Sequence, residues 1–427
     1  MSSLIVKENN KLNESYTFIK HSSGLPIYVY PKKGYNVSYA IFGARYGSIN
    51  TKFKSNGKVI EVPDGIAHYL EHKLFESEDG DAFKRYAKTG ASANAFTSFD
   101  QTCYLFSCTE NFKDSLEILL DFVQSPYFTD ETVQKEQGII GQEIGMYKDD
   151  PNWMVMFNLL KALYHNHPVK IDIAGTVESI VKITPSKLYD CYNAYYNLHN
   201  MALCVVGNVD VNEVIEVADK VLKPVEAVNI ENIFPKEPED IVNDRVEQEF
   251  PIAVSMFQLG FKEKVNFDRV STRDIAATDV LLDAFASKAS PLYEELLNLR
   301  LINTASFGYE YFEGPGFATV IFSGESDNPD KVAEIIRGYA DKLHENKLNK
   351  EDFERAKKSV YGRTIASLNS VEAIGTGIIN GHFSNVELFD YIDCLSNLKL
   401  EDVDSRLNDE LISKMSAISI VSPMKGD

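Results

Sequence analysis

Apolar positions along this chain switch between two periods. Residues 25–30 and 37–46 form short apolar runs that read as strands. Across 65–76 the apolar residues Ile66, Ala67, Leu70, Leu74 and Phe75 recur at helical spacing, with Asp64 placed to cap the first turn. A strand pair is expected across 91–108, then helices over 113–123 and 130–148. The second half repeats the style, with a strand over 252–261, a helix over 273–287, strands within 306–322, and helices over 329–343 and 350–367.

Between the halves, residues 223–249 break the pattern. Pro224, Pro235 and Pro238 remove backbone donors, and Glu226, Glu231, Glu237, Glu239, Asp240 and Asp244 resist burial. This stretch reads as a linker between an N-terminal domain, 1–222, and a C-terminal domain, 250–427. Laying 130–144 over 350–364, an offset of 220, superposes Val133 on Phe353 and Ile140 on Val360. Strands and helices mix without strict βαβ alternation, so the expected class is α+β, with two duplicated domains.

Composition narrows the function. The 427 residues carry 43 Lys+Arg against 63 Asp+Glu, a net charge of −20. That balance excludes a basic nucleic-acid footprint and disfavours an anionic membrane surface. Five cysteines without CxxC spacing exclude a Cys-based zinc ribbon and argue against a disulfide framework. No stretch approaches the ~20 apolar residues that span a bilayer, and residues 1–16 lack a signal-peptide apolar core. Cytoplasm is the expected location.

The chemistry concentrates in His68-Tyr69-Leu70-Glu71-His72. Residues four apart on a helix lie one above the other, so His68 and His72 present two imidazoles to one point, half of a tetrahedral zinc site. Glu71 can then reach a water in the open position, in an inverted zinc-protease motif, HxxEH. Downstream, Glu136 and Glu143 are seven apart on one helical face, serving either surface ion pairs or a metal. In the overlay they fall on Ala356 and Arg363, and the second half has no HxxEH, which favours the metal.

HxxEH followed by Glu136 and Glu143 resembles the pitrilysin/insulinase family of zinc peptidases, which includes the mitochondrial processing peptidases. Glu71-His72-Lys73-Leu74-Phe75, Asn94-Ala95-Phe96-Thr97, the run Gly175 to Ile180, Tyr195-Tyr196-Asn197 and the run Val205 to Asp210 agree with it. The resemblance implies a two-domain half of a clamshell, each domain an antiparallel-rich sheet flanked by helices. It implies Zn2+ held by His68, His72 and Glu143, with Glu71 as general base and Glu136 as a carboxylate supporting the ligands. Peptide substrate would lie along Ala93, Asn94 and Ala95, small residues that suit a strand to which an extended peptide adds.

The family also carries an Arg and a Tyr, seven apart, that bind substrate. Here the Arg position falls on Leu297; Arg300 is out of register, and Tyr309 or Tyr311 stands for the Tyr. The resemblance implies paired subunits, a homodimer or a heterodimer with a related chain, closing on peptide. Two functions follow: a cytoplasmic zinc endopeptidase, or a non-catalytic peptide-holding subunit. His165-Asn166-His167 before Pro168 offers either a loop or a minor metal site.

Overall fold

The computed structural model describes residues 3–78, 80–264 and 270–424. They form two compact units, and neither is a continuous piece of chain. Unit 1 comprises Met1–Ile144, Asp172–Ile233 and Ser367–Phe389; unit 2 comprises Gly145–Ile171, Phe234–Ala366 and Asp390–Asp427. The sequence reading placed contiguous domains on either side of 223–249. The difference arises because each half of the chain gives one helix to the other unit's sheet.

Unit 1 is built on a seven-stranded sheet. Its spatial order is Ser3–Asn9, Glu14–Lys20, Pro26–Pro31, Met201–Gly207, Ser38–Ala44, Thr102–Cys108 and Ser92–Thr97. Met201–Gly207 runs parallel to Pro26–Pro31, and all other neighbours are antiparallel. Ser38–Ala44 and Met201–Gly207 are buried on both faces, which explains their unbroken apolar or small composition. The hairpin Ser3–Asn9/Glu14–Lys20 falls in a segment whose polar residues gave no strand signal.

Unit 2 holds a five-stranded sheet in the order Arg245–Phe250, Ser416–Pro423, Met256–Lys262, Phe317–Glu325 and Gly308–Gly314. Its first pair is parallel and the rest antiparallel, the same pattern as the last five strands of unit 1. The duplication read from the overlay is therefore present in the topology, and the class is α+β.

The exchanged helices occupy matching places. In unit 1, Val371–Ser384 packs against the sheet at Gly43, where a Cβ would lie 2.9 Å from the Phe383 ring and 3.0 Å from Ile379. In unit 2, Pro151–Leu163 packs at Gly260, where a Cβ would lie 2.8 Å from Leu163 and 3.0 Å from Leu159. Gly43 pairs with Ala202, and Gly260 with Ala417. Each sheet has lost side-chain volume at one lattice point so that a helix can approach closely.

The proline-rich segment is more structured than a linker. Ile230–Asn232 pairs with Lys52–Ser55, which also pairs with Lys58–Glu61, in a small sheet of unit 1. Arg245–Phe250 is a full strand of unit 2, exposing alternate charged residues. Between them, Glu237 accepts from the backbone N–H of His165, Asn166 and His167 at 2.8, 2.6 and 2.8 Å, and from Lys262 Nζ at 2.8 Å. Burial alone would raise this carboxyl, but the ammonium and the N–H donors hold it below the ordinary value. The His165-Asn166-His167 turn thus anchors unit 2. His167 also holds the Pro315 carbonyl at 2.9 Å, and burial pushes the imidazole down to about 4.

Candidate metal centre

The motif residues sit on the helix Ile66–Leu74, which is buried almost all round. Gly65, rather than Asp64, is its N-cap, with φ at +88° and no side-chain cap. A side chain there would be strained, and its Cβ would meet the Ala174 carbonyl oxygen at 2.4 Å. Ser179 Oγ donates to the Asp64 carbonyl at 2.8 Å, so the 175–180 stretch clamps the helix start. Tyr69, between His68 and Glu71, donates its hydroxyl to the Val133 carbonyl of the helix Asp130–Lys148.

That second helix buries Val133, Glu136, Ile140 and Ile144, so Glu136 stands within the apolar stripe. Burying an acid costs free energy unless a partner meets it. The partner is His72, whose Nδ1 lies 3.1 Å from Glu136 Oε1. Nδ1 is thus turned to Glu136, and Nε2 of His72, the nitrogen left for an ion, faces Glu143 Oε2 at 3.4 Å. His68 Nε2 lies 3.6 Å from Glu143 Oε1, and the two imidazole centroids are 4.6 Å apart.

One ligand atom each from His68, His72 and Glu143 gathers within 4.8 Å. Atoms bound tetrahedrally to zinc at about 2.1 Å lie about 3.4 Å apart, so the spacing and the two-His, one-carboxylate donor set fit that ion. His68 Nδ1 is buried with no hydrogen-bond partner among the described residues, so only His72 has its ring fixed by a carboxylate.

Glu71 projects beside this cluster and accepts from Thr97 Oγ1 at 2.8 Å. Burial raises its carboxyl above the ordinary value against the lowering pull of His68, Thr97 and His72. His72 is raised overall: burial lowers it, but the Glu136 bond and the charges of Glu71 and Glu143 outweigh that. Thr97 went unassigned from sequence, because its contact with Glu71 spans 26 residues and depends on strand register. The alternation that puts Ala93, Ala95 and Thr97 on one face was the available signal.

Ser92–Thr97 is an edge strand, as its small residues suggest. Asn94 and Ala95 share a cavity of about 510 Å³ with Glu71, His72 and Glu136, walled by the rings of Phe75 and Phe83, stacked at 4.5 Å. Ala93 lies in the same strand, opposite Phe106.

The remaining substrate candidates lie in unit 2, where the two tyrosines are engaged. Tyr309 donates to Asp283 Oδ2 at 3.3 Å; Tyr311 donates to Glu263 at 3.4 Å and accepts from Arg406 at 2.9 Å. Arg300 is exposed with φ at +57°. All five cysteines are free, and no helix among the described residues is long and apolar enough to cross a membrane.

Residues 56–177 match the family model described as Insulinase (Peptidase family M16), and residues 182–360 match the one described as Peptidase M16 inactive domain. The chain is 41% identical to the uncharacterized zinc protease YmfH of Bacillus subtilis, over 97% of this chain and 98% of that one. A crystal structure of an M16-like peptidase from Alicyclobacillus acidocaldarius superposes with a TM-score of 0.93 at 35% identity, covering 98% of this chain and all of that one. Pitrilysin shares the fold, with a TM-score of 0.78 at 16% identity; the match covers 100% of this chain and 47% of pitrilysin.

Proposed function

The chain belongs to the insulinase family of peptidases, M16, and on that premise we propose that it is a zinc-dependent endopeptidase acting on peptides or short unfolded segments. The observation that carries the reading is the convergence of His68, His72 and Glu143 with Glu71 beside them on a buried helix. His68, His72 and Glu143 would hold the ion. When bound, zinc supplies Lewis-acid polarisation of a peptide carbonyl and acidification of water.

The protein's own groups do the rest. Glu71 takes the proton of the attacking water and delivers it to the leaving amine, a role worth roughly 10²–10⁴ in rate. Thr97 fixes that carboxylate, and Glu136 fixes the tautomer of His72. An extended peptide adds to the edge strand through Ala93, Asn94 and Ala95, with a side chain in the cavity walled by Phe75 and Phe83. Arg300, Tyr309 and Tyr311 are the substrate contacts proposed for unit 2. The working form is a pair of subunits, a homodimer or a heterodimer with a related chain, in the cytoplasm.

A second reading, a peptide-holding subunit without activity, draws on Leu297 standing where the family carries Arg. The two separate in one assay: cleavage of a quenched peptide library by wild type and Glu71→Gln, each checked for zinc. The endopeptidase reading requires cleavage by wild type and none by the zinc-loaded variant. No cleavage by zinc-loaded wild type, alone or with its co-purifying partner, favours the second reading.

A further inference from the structure

Unit 2 has replaced the ligand chemistry at the place matching the metal centre. Arg363 falls on Glu143 in the overlay and pairs with Asp283, on the helix Thr272–Ala286, at 2.6 Å. Asp279 precedes Asp283 by one turn, as His68 precedes His72, and accepts from the Tyr391 hydroxyl. A guanidinium therefore stands where unit 1 gathers metal ligands, and Ala356 stands where it has Glu136.

Beside this ion pair lies a cavity of about 390 Å³ whose wall includes Lys288, Tyr293, Phe307, Tyr309, Ser359 and Arg363. Asp283, 2% exposed in its side chain, is engaged by Arg363, by Tyr309 and by Ser359 at 3.2 Å. Its charge is thus balanced by the Arg363 guanidinium behind the cavity wall. Arg363 spends Nη1 on Asp283 and Ser359 but stays 58% exposed, leaving other guanidinium donors for a ligand. Lys288, exposed and lining the cavity, supplies its net positive charge.

Tyr293 supplies an independent sign of a missing partner. The residue is 5% exposed, packs edge-to-face on Phe307 at 5.9 Å, and buries a hydroxyl with no hydrogen-bond partner among the described residues. A buried hydroxyl left without a partner is destabilising.

We propose that this cavity binds a carboxylate carried by a peptide, with Arg363, Lys288 and the Tyr293 hydroxyl as donors and Phe307 and Tyr309 flanking the adjoining side chain. A net positive charge and free guanidinium donors, without a histidine, suit an anion and repel a metal ion. That the carboxylate belongs to a peptide rests on the peptidase reading; the carboxylate chemistry rests on the cavity alone. A free C-terminus and an acidic side chain share that chemistry.

The test is fluorescence anisotropy on the full-length, zinc-loaded Glu71→Gln chain, which cannot consume its ligand. The probe is a fluorescein-labelled hexapeptide ending in Leu, as free acid, as amide, and as an amide with Glu in the last position. The free acid is expected to bind at least about tenfold more tightly than the plain amide, as one charge-assisted contact allows. Recovery of affinity by the Glu-bearing amide identifies a side-chain carboxylate, and no recovery identifies the C-terminus. Lys288→Glu, at an exposed position, should remove most of the preference, and Tyr293→Phe part of it, with zinc content and thermal midpoint unchanged. Equal binding of acid and amide, or a preference untouched by both variants, overturns the site. An acid preference in a chain whose zinc-loaded wild type cleaves nothing, alone or with its co-purifying partner, sinks the peptidase reading and leaves the carboxylate site standing; cleavage without the preference does the reverse.

Discussion

Glu136 Oε1 lies 3.1 Å from Nδ1 of His72, while Nε2 of the same ring faces Glu143. The acid inside the apolar stripe of Asp130–Lys148 therefore holds the ring of a proposed ligand and is not itself proposed as one. Glu136→Ala should weaken zinc binding by about 10–100-fold, as loss of such supporting carboxylates does. Competition against a chromophoric chelator measures it, and an unchanged affinity would remove Glu136 from the site.

Thr97 touches only the proposed base among the motif residues. Thr97→Val should lower kcat roughly tenfold by freeing the Glu71 carboxylate, with zinc content intact. Thr97→Ser should restore the rate. Steady-state cleavage of one quenched peptide compares the three forms.

Much of this centre was legible in the sequence, for local reasons. Helical spacing placed His68, Glu71 and His72 together, and the structure's Asp130–Lys148 helix has the predicted bounds. Small side chains marked Ser92–Thr97 as approachable, and it is an edge. What escaped was non-local or disguised. Arg245–Phe250 looked like linker because its alternate charges face solvent, and no local pattern announces that Val371–Ser384 and Pro151–Leu163 change units. Asp64 resembled a cap, yet the close approach of the Ala174 carbonyl requires Gly65 in that role.

The buried pair Lys262–Glu237 is fully shielded, both side chains 0% exposed. Glu237→Ala would leave three N–H donors without an acceptor and the Lys262 ammonium with only the Pro238 and Asp240 carbonyls, so a loss of about 3–5 kcal/mol is expected in the denaturation of unit 2. Urea titration followed by far-UV circular dichroism reads the loss, and an unchanged midpoint would contradict it.

Unit 2 also buries two acids around one cation. Arg406 reaches Glu263 at 2.7 Å and Glu410 at 2.8 Å, and burial, against the pull of Arg406, raises Glu410 to about 8. An acid raised in the folded state binds its proton more readily there than in the unfolded chain. Its stabilising contribution is therefore complete below the unfolded value near 4.5 and is lost as pH rises through about 8. Glu410→Gln keeps the uncharged form at every pH, so its thermal midpoint should exceed that of wild type at pH 9 and match it near pH 5. Parallel curves across that range would contradict the assignment.

The central claim is that His68, His72 and Glu143 form one zinc site in which Glu71 is not a ligand. Zinc content of the purified chains by inductively coupled plasma mass spectrometry tests it most directly. About one zinc per chain is expected in wild type and Glu71→Gln, and markedly less in His72→Ala and Glu143→Ala, all four folded by circular dichroism. No zinc in wild type, or full retention in both ligand variants, would contradict it.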